Sequence, residues 1–313
     1  MSLDPRIGRR LKLRDLHVLM EVVNAGSMGK AADRLNVSQP VISKAIASLE
    51  RALGARLLDR NVRGVNLTDY GRAALQCGVA VFDDLKKGIE EIAFIADPTV
   101  GVVRVGCTDP AFASIVSAVI NQLSPRYPRV VFQLIRVDQA APFRELESRE
   151  VDFVIVDLIN SFSQERMDAE ILYAESAIVA VGLQSPWTRR RRVRLAELVD
   201  EPWLLPAQGS FVSSIIVEAF RACGLNPPQP VVVASSHMRT ALLASGRFVT
   251  AIPGAMLQIG GIRASIRAVP VSLPDQYRNV AIVTLKDRSL SPVAQLFIEC
   301  ARVVAKPLAK KKS

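Results

Sequence analysis

The sequence predicts a multidomain chain: an all-α helix-turn-helix with a small wing, a long linker helix, and then an α/β domain. Three observations predict it. Apolar residues recur at three- and four-residue steps through the first hundred positions. Beyond Pro98 the pattern changes to short apolar strands alternating with helices. The basic excess is concentrated near the N-terminal end.

The length of 313 residues suits two or three domains, and half of the residues are hydrophobic, so core material is plentiful. The formal net charge of +10 favours a polyanionic partner such as DNA. Residues 1–72 hold 13 Lys and Arg against 7 Asp and Glu, so more than half of the excess lies in under a quarter of the chain. The remainder gathers in Arg189 to Arg194 and in a tail from Lys306 to Lys312, both expected to be solvated or disordered. Four cysteines without CxxC spacing fit a reducing compartment and provide neither a disulfide framework nor a metal site. The N-terminal stretch lacks the apolar segment of a secretory signal, and no apolar run approaches the ~20 residues of a membrane span. A cytoplasmic protein without membrane association is expected.

The first helix is read from LRDLHVLMEVVNAG, where Leu13, Leu16, Leu19, Met20 and Val23 share a face. Gly26 stops it, and Ser27 is a natural N-cap for the short helix MGKAADRL. Ala31, Ala32 and Leu35 lie on its inner face, and the small alanines allow another helix to approach closely. A third helix follows in VSQPVISKAIASLERALGARLL, with Ser38 as N-cap and Pro40 in the first turn, where a missing N–H costs little. Its expected buried face is Val41, Ile42, Ala45, Leu49 and Leu53.

Gln39, Ser43, Lys44 and Ala47 fall mostly on the opposite face, toward the helix start. Such a helix is equipped for a major groove: Gln pairs with adenine, Lys with guanine or phosphate, and the helix N-terminus favours phosphate. After Gly54, LLDRNVRGVNLT alternates around Asn61 and Gly64 as a hairpin wing with Arg60 and Arg63 near its tip. Periodicity alone leaves a plain helical hairpin with ordinary polar surface residues as the other reading.

The run from Leu13 to Leu75 resembles the DNA-binding domain of LysR-type transcriptional regulators over its whole length. The resemblance is carried by GSxxxAAxxLxVSQPxxSxxIxxLExxLGxxLxxR and the closing LTxxG. It implies a winged helix-turn-helix whose groove-reading residues are Gln39, Pro40, Ser43 and Lys44, with Arg63 as the wing arginine. Lys44 stands where the family commonly has arginine, which favours phosphate or looser base contact over bidentate reading of guanine. Met28 replaces a usual aromatic, as a core adjustment. A leader of about ten residues precedes the family's usual start and carries Arg6, Arg9, Arg10 and Lys12.

Thr68 opens a long helix that Pro98 ends. Leu75, Gly78, Phe82, Leu85, Ile89, Ile92 and Ala96 follow the steps of a coiled-coil seam flanked by charges, although Gly78 offers no knob. Packing of this helix on its own domain is the other reading. The resemblance implies pairing of two DNA-binding domains through it, and a roughly palindromic site.

Beyond Pro98, strands are expected at VVRVGC, VVFQLIRV, DFVIV, SAIVAVG, PWLLP, VVVAS, FVTAI and VAIVTL, with helices between them and mostly parallel sheets. The segments VRVGCTDPAFASIVSAVINQLSPRYPRVVFQL, VDFVIVD, LVDEPWLLPAQGS and SGRFVTAIP resemble the LysR effector domain, a pair of lobes like a type 2 periplasmic binding protein. The fold class implied is an all-α winged helix-turn-helix with a long linker helix, then an α/β two-lobed effector-binding domain. The expected divisions are 1–67, 68–98 and 99–305, with lobe I at 99–173 and 272–305, lobe II at 174–271, and a disordered tail at 306–313.

In the cleft, Thr108 at the end of the first strand and Ser210 before the next lobe's helix offer hydroxyls beside helix starts, a setting that suits an anion; helix capping alone also explains them. Asp109 would repel an anion or bind hydroxyls, and Phe112 and Phe211 would supply apolar walls. Asp157 is expected to cap or form a turn.

Enzyme chemistry has little support. His17 and His237 are the only histidines, and no GxSxG, Walker A or GxGxxG turn occurs. No cofactor or metal is expected. The resemblance implies a transcription regulator that binds double-stranded DNA as a homodimer through the linker helix and further as a homotetramer, with a small-molecule effector and RNA polymerase as partners. The alternatives are a solute-binding protein and an architectural DNA-binding protein without an effector.

Overall fold

The computed structural model describes residues 10–61, 64–158, 162 and 164–309. The chain forms two compact units that divide between Ile89 and Glu90.

In the first unit, α1 (Leu13–Ala25) ends at Gly26, whose φ of 73° is left-handed. The hydroxyl of Ser27 then accepts from the Lys30 amide and starts α2 (Met28–Arg34). The turn into α3 (Gln39–Leu53) needs a left-handed residue, and Asn36 provides it with φ 52°. Ser38 occupies the N-cap position of α3 without a side-chain cap bond. Leu16, Leu19, Ala31, Ile42, Ile46 and Leu49 form the shared core. Three residues expected inside are exposed: Leu13 by 47%, Val41 by 36% and Leu53 by 43%. Each lies in the first or last turn of its helix, beyond the cover of its neighbours.

The wing is an antiparallel pair, β1 (Leu58–Asn61) and β2 (Gly64–Leu67), with Asn61 opposite Gly64. Arg63, at its tip in the sequence reading, lies outside the described residues. Glu50 Oε1 accepts from the amides of Leu57 and Leu58 at 2.8 and 3.4 Å, tying the root of the wing to α3. Thr68 donates to the Arg56 carbonyl at 2.7 Å and accepts from the Gly71 amide at 3.0 Å.

The helix α4 (Asp69–Ala96) begins there. The sequence placed Gly78 and Phe82 in a seam facing a partner; instead, both face their own domain. A β-carbon at Gly78 would lie 3.4 Å from Met20 Sδ, and Phe82 packs on the core with its ring 5.7 Å from that of His17. Close approach of α1 is what the absent side chain permits. Further along, Leu85, Ile89, Ile92 and Ile95 are 47–76% exposed.

The second unit contains two five-stranded sheets. Lobe I orders its strands β4 (Arg129–Arg136), β3 (Val100–Cys107), β5 (Phe153–Leu158), β12 (Arg278–Leu285) and β6 (Met167–Glu175). Between β3 and β4 run α5 (Asp109–Ala111), a π-helical turn (Phe112–Val116) and α6 (Ser117–Leu123). The short α7 (Arg144–Glu147) follows β4. Lobe II orders β11 (Ile266–Ala268), β7 (Ala177–Gly182), β10 (Val249–Pro253), β8 (Trp203–Leu205) and β9 (Pro230–Val233). Its helices are α8 (Phe211–Ala222), α9 (Ser236–Leu243) and α10 (Gly254–Gln258).

The expectation of mostly parallel sheets is corrected. Four of the eight strand pairings are antiparallel, because β7 and β12 run against their neighbours. Each is the first strand after the chain crosses between lobes, so neither arrives through the helical crossover that a parallel partner requires. The expected tail is corrected as well. The last helix, α11 (Pro292–Ala309), runs through Lys306 because Val304, Ala305 and Leu308 are buried in the lobe I core beside Phe297. Residues 310–313 lie outside the described ones.

Candidate functional site

Two surfaces carry the functional side chains. In the first unit, Gln39, Pro40 and Lys44 are exposed at the start of α3, while Ile42, Ala45 and Ile46 on its other face are buried. Pro40 fits because the first helical turn has no intrahelical use for its missing N–H. Ser43 is half-buried, and its hydroxyl lies 3.5 Å from Met28 Sδ, a weak contact that leaves its lone pairs available. The result is a short polar ridge of amide, hydroxyl and ammonium at the positive end of a helix dipole. Such a ridge can accept and donate at base edges and meet phosphate.

In the second unit, a cavity of about 490 Å3 opens between the lobes. Lobe I contributes Thr108, Asp109 and Arg136 at the carboxyl ends of β3 and β4, and Asp157 from β5. Lobe II contributes Ser210, Phe211, Ser235, Ser236 and Arg239 from the starts of α8 and α9. Ligand sites at the carboxyl ends of strands are expected of open α/β sheets. Thr108 is buried, makes no capping bond, and its Oγ1 has no hydrogen-bond partner. Ser210 does cap α8, accepting from the Ser213 amide at 3.3 Å.

The electrostatics of the cavity are mixed. Asp109 approaches Arg136 at 4.0 Å. Burial pushes the Asp157 carboxyl up, with the nearby Arg278 acting the other way. The Arg278 guanidinium stands 4.7 Å over the Phe211 ring, fixing that ring at the cavity wall. Behind the cavity, at the crossing from β6 to β7, Glu175 Oε1 accepts from the Ser176 and Ala255 amides at 3.0 and 3.2 Å. Burial raises its carboxyl to about 8.

Residues 13–72 match the family described as bacterial regulatory helix-turn-helix protein, lysR family, and residues 96–306 match the LysR substrate binding domain. The chain belongs to the LysR family. As a member it is a transcription regulator that couples a DNA-binding helix-turn-helix to an effector-binding domain. The HTH-type transcriptional regulator YybE of Bacillus subtilis (strain 168) is 29% identical over 86% of this chain and 90% of its own. Among solved structures, full-length OxyR from Pseudomonas aeruginosa matches with a TM-score of 0.64 at 22% identity, covering 97% of this chain and 99% of that one. Full-length CbnR in complex with its target DNA matches with a TM-score of 0.60 at 20% identity, over 94% and 100% of the two chains. These likenesses show the LysR fold. No helix among the described residues is long and apolar enough to cross a membrane.

Within this LysR fold, four of the five expected effector residues line the cavity: Thr108, Asp109, Ser210 and Phe211. Phe112 does not; it is 47% exposed and lies a turn further along a helical run that leaves the cavity, so its axial rise carries it away. Asp157, assigned by sequence to a turn or cap, lines the cavity. Arg136 and Arg239 were missed altogether. An isolated arginine in a polar helix start such as SSHMRT looks like any surface residue.

Proposed function

We propose that this LysR-family regulator binds promoter DNA in the cytoplasm as a homodimer paired through α4, with effector domains joining two dimers into a homotetramer. The exposed ridge of Gln39, Pro40 and Lys44 beside Ser43 is the observation that carries the DNA-reading assignment. Gln39 addresses a base edge, Pro40 fits the groove wall, Ser43 bonds a base or phosphate, and Lys44 and Arg63 neutralise phosphates. The DNA-bound relative CbnR supports the same use of the fold. Exposed Leu85, Ile89 and Ile92 support pairing through α4. A small molecule held by Thr108, Asp109, Ser210 and Phe211 sets lobe closure, which shifts the DNA-binding domains and the bend of the DNA between their sites. RNA polymerase reads the outcome.

Selection of bound duplexes from a random pool tests this reading. The expected product is a dyad-symmetric site with half-sites about one helical turn, ~10 base pairs, apart. Gln39→Ala then lowers discrimination between this site and random DNA by ~1–3 kcal/mol, whereas Lys44→Ala weakens both and reduces the salt dependence. Equal loss on specific and random DNA in Gln39→Ala would remove that residue from base reading.

A further inference from the structure

The lobe II wall of the cavity holds a cation without a counter-charge. Arg239 is 1% exposed. Its Nη1 donates to Thr250 Oγ1 at 2.9 Å and to the Ala251 carbonyl at 2.7 Å, and its Nη2 donates to Ser236 Oγ at 3.3 Å. All three acceptors are neutral, Nε has no partner, and Arg239 forms no ion pair among the described residues. Burial alone pulls the guanidinium down to about 10, so it remains charged at neutral pH. A buried charge without a partner is costly, and proteins ordinarily pair it or give it a ligand.

Across the same cavity, Thr108 Oγ1 is likewise buried and unpartnered. Two unmet polar groups, one on each lobe, therefore face one space. Ser235 stands at the N-cap of the eight-residue α9 without using its side chain for capping, so the start of that helix adds positive potential beside Arg239. On the lobe I side, Asp109 is offset by Arg136, and a raised Asp157 offers a neutral O–H rather than a second negative charge.

We propose that the effector is a small organic acid whose carboxylate pairs with Arg239 on lobe II while a hydrogen-bonding group at its other end meets Thr108 on lobe I. This rests on the reading of the cavity as the effector site and specifies its chemistry. The ligand supplies the counter-charge that the fold withholds, and by touching both lobes it favours the closed arrangement.

The test is thermal unfolding of the full-length protein with formate, acetate, benzoate and succinate, against formamide, acetamide and benzamide, at ionic strength matched with chloride. Saturable stabilisation by at least one carboxylate, and by none of the amides, is expected. Arg239→Gln should weaken that carboxylate's affinity by about 10- to 100-fold, the worth of a charge-assisted hydrogen bond. Because Arg239 also ties Ser236 to β10, Arg239→Lys and Ser236→Ala serve as companions. Lys keeps the charge and should retain weakened binding; Ser236→Ala leaves the cation and should bind as the wild type does. No saturable effect from any of the four acids, equal effects from acids and amides, or unchanged acid binding in folded Arg239→Gln would each overturn the assignment. Stabilisation by glucose that is lost in Thr108→Val, without any by acids, would overturn the role of Arg239 and leave the cavity as a binding site. Acid binding that leaves DNA affinity unchanged would instead overturn the effector reading and leave the anion site standing.

Discussion

The α-carbon of Gly71 packs directly against the carbonyl oxygen of Leu57, and a β-carbon there would collide with that oxygen and crowd Leu67 Cδ2. This contact joins the start of α4 to the root of the wing, beside the Thr68 hydroxyl that bonds both segments. Substitution Gly71→Ala should destabilise the N-terminal unit by ~1–3 kcal/mol despite the better helix propensity of alanine. Calorimetry of the full-length protein checks this, and an unchanged or higher melting temperature would show that the backbone gives way freely.

Glu50 holds the other side of the same corner. Removing its acceptor in Glu50→Ala should cost ~1–2 kcal/mol by leaving two amides short of a partner, and Glu50→Gln should cost less because one oxygen remains. DNA affinity should fall further than stability does, since the wing loses its angle to α3. Parallel urea titrations and binding isotherms for the two variants measure the difference.

The exposed stripe on α4 makes a prediction about assembly. Ile89→Asp with Ile92→Asp places charge in the proposed seam and should convert dimers to monomers at micromolar concentration. Multi-angle light scattering reports the mass; an unchanged mass would move the dimer contact elsewhere.

Glu175 predicts a pH dependence. Its carboxyl is raised to about 8 by burial, with a contribution from the Asp157 charge, whereas the unfolded chain restores an ordinary value near 4.5. The folded state therefore binds more protons between these values. The stability contribution is fully present below pH ~4.5 and is lost as pH rises toward 8. Glu175→Gln keeps an acceptor for the Ser176 and Ala255 amides and should flatten this slope. Urea midpoints of both proteins from pH 5 to 8.5 provide the comparison.

The N-terminal unit was legible because its boundaries are set by local chemistry. Gly26 and Gly54 adopt the left-handed conformation that stops a helix, Ser27 caps the next one, and Thr68 and Gly71 close the wing within a few residues of sequence. The cleft was only partly legible. Thr108 and Ser210 stand at strand-to-helix junctions that the alternation of elements marks, so both could be placed. Arg239 could not, since its burial is decided by Thr250 and Ala251 on β10, a strand that meets α9 only in the folded lobe. Strand β6 escaped notice because Asp168 and Glu170 interrupt its apolar residues, and its place beside β12 depends on a chain segment a hundred residues away. On α4 the periodicity was real, but one face served two partners in succession. Sequence spacing does not reveal where the domain core stops covering it.

The chain passes between the lobes twice, once at Ser176 and once through 269–277, and the strands at both ends of these passages are themselves paired: β6 with β12, and β7 with β11. Two tethers lying side by side leave one easy rotation and oppose twisting or sliding. The motion available to the sensor is then close to a single coordinate, the opening angle. A device with one coordinate reports only how far it is closed, so chemically different molecules that hold the same angle should be indistinguishable at the promoter.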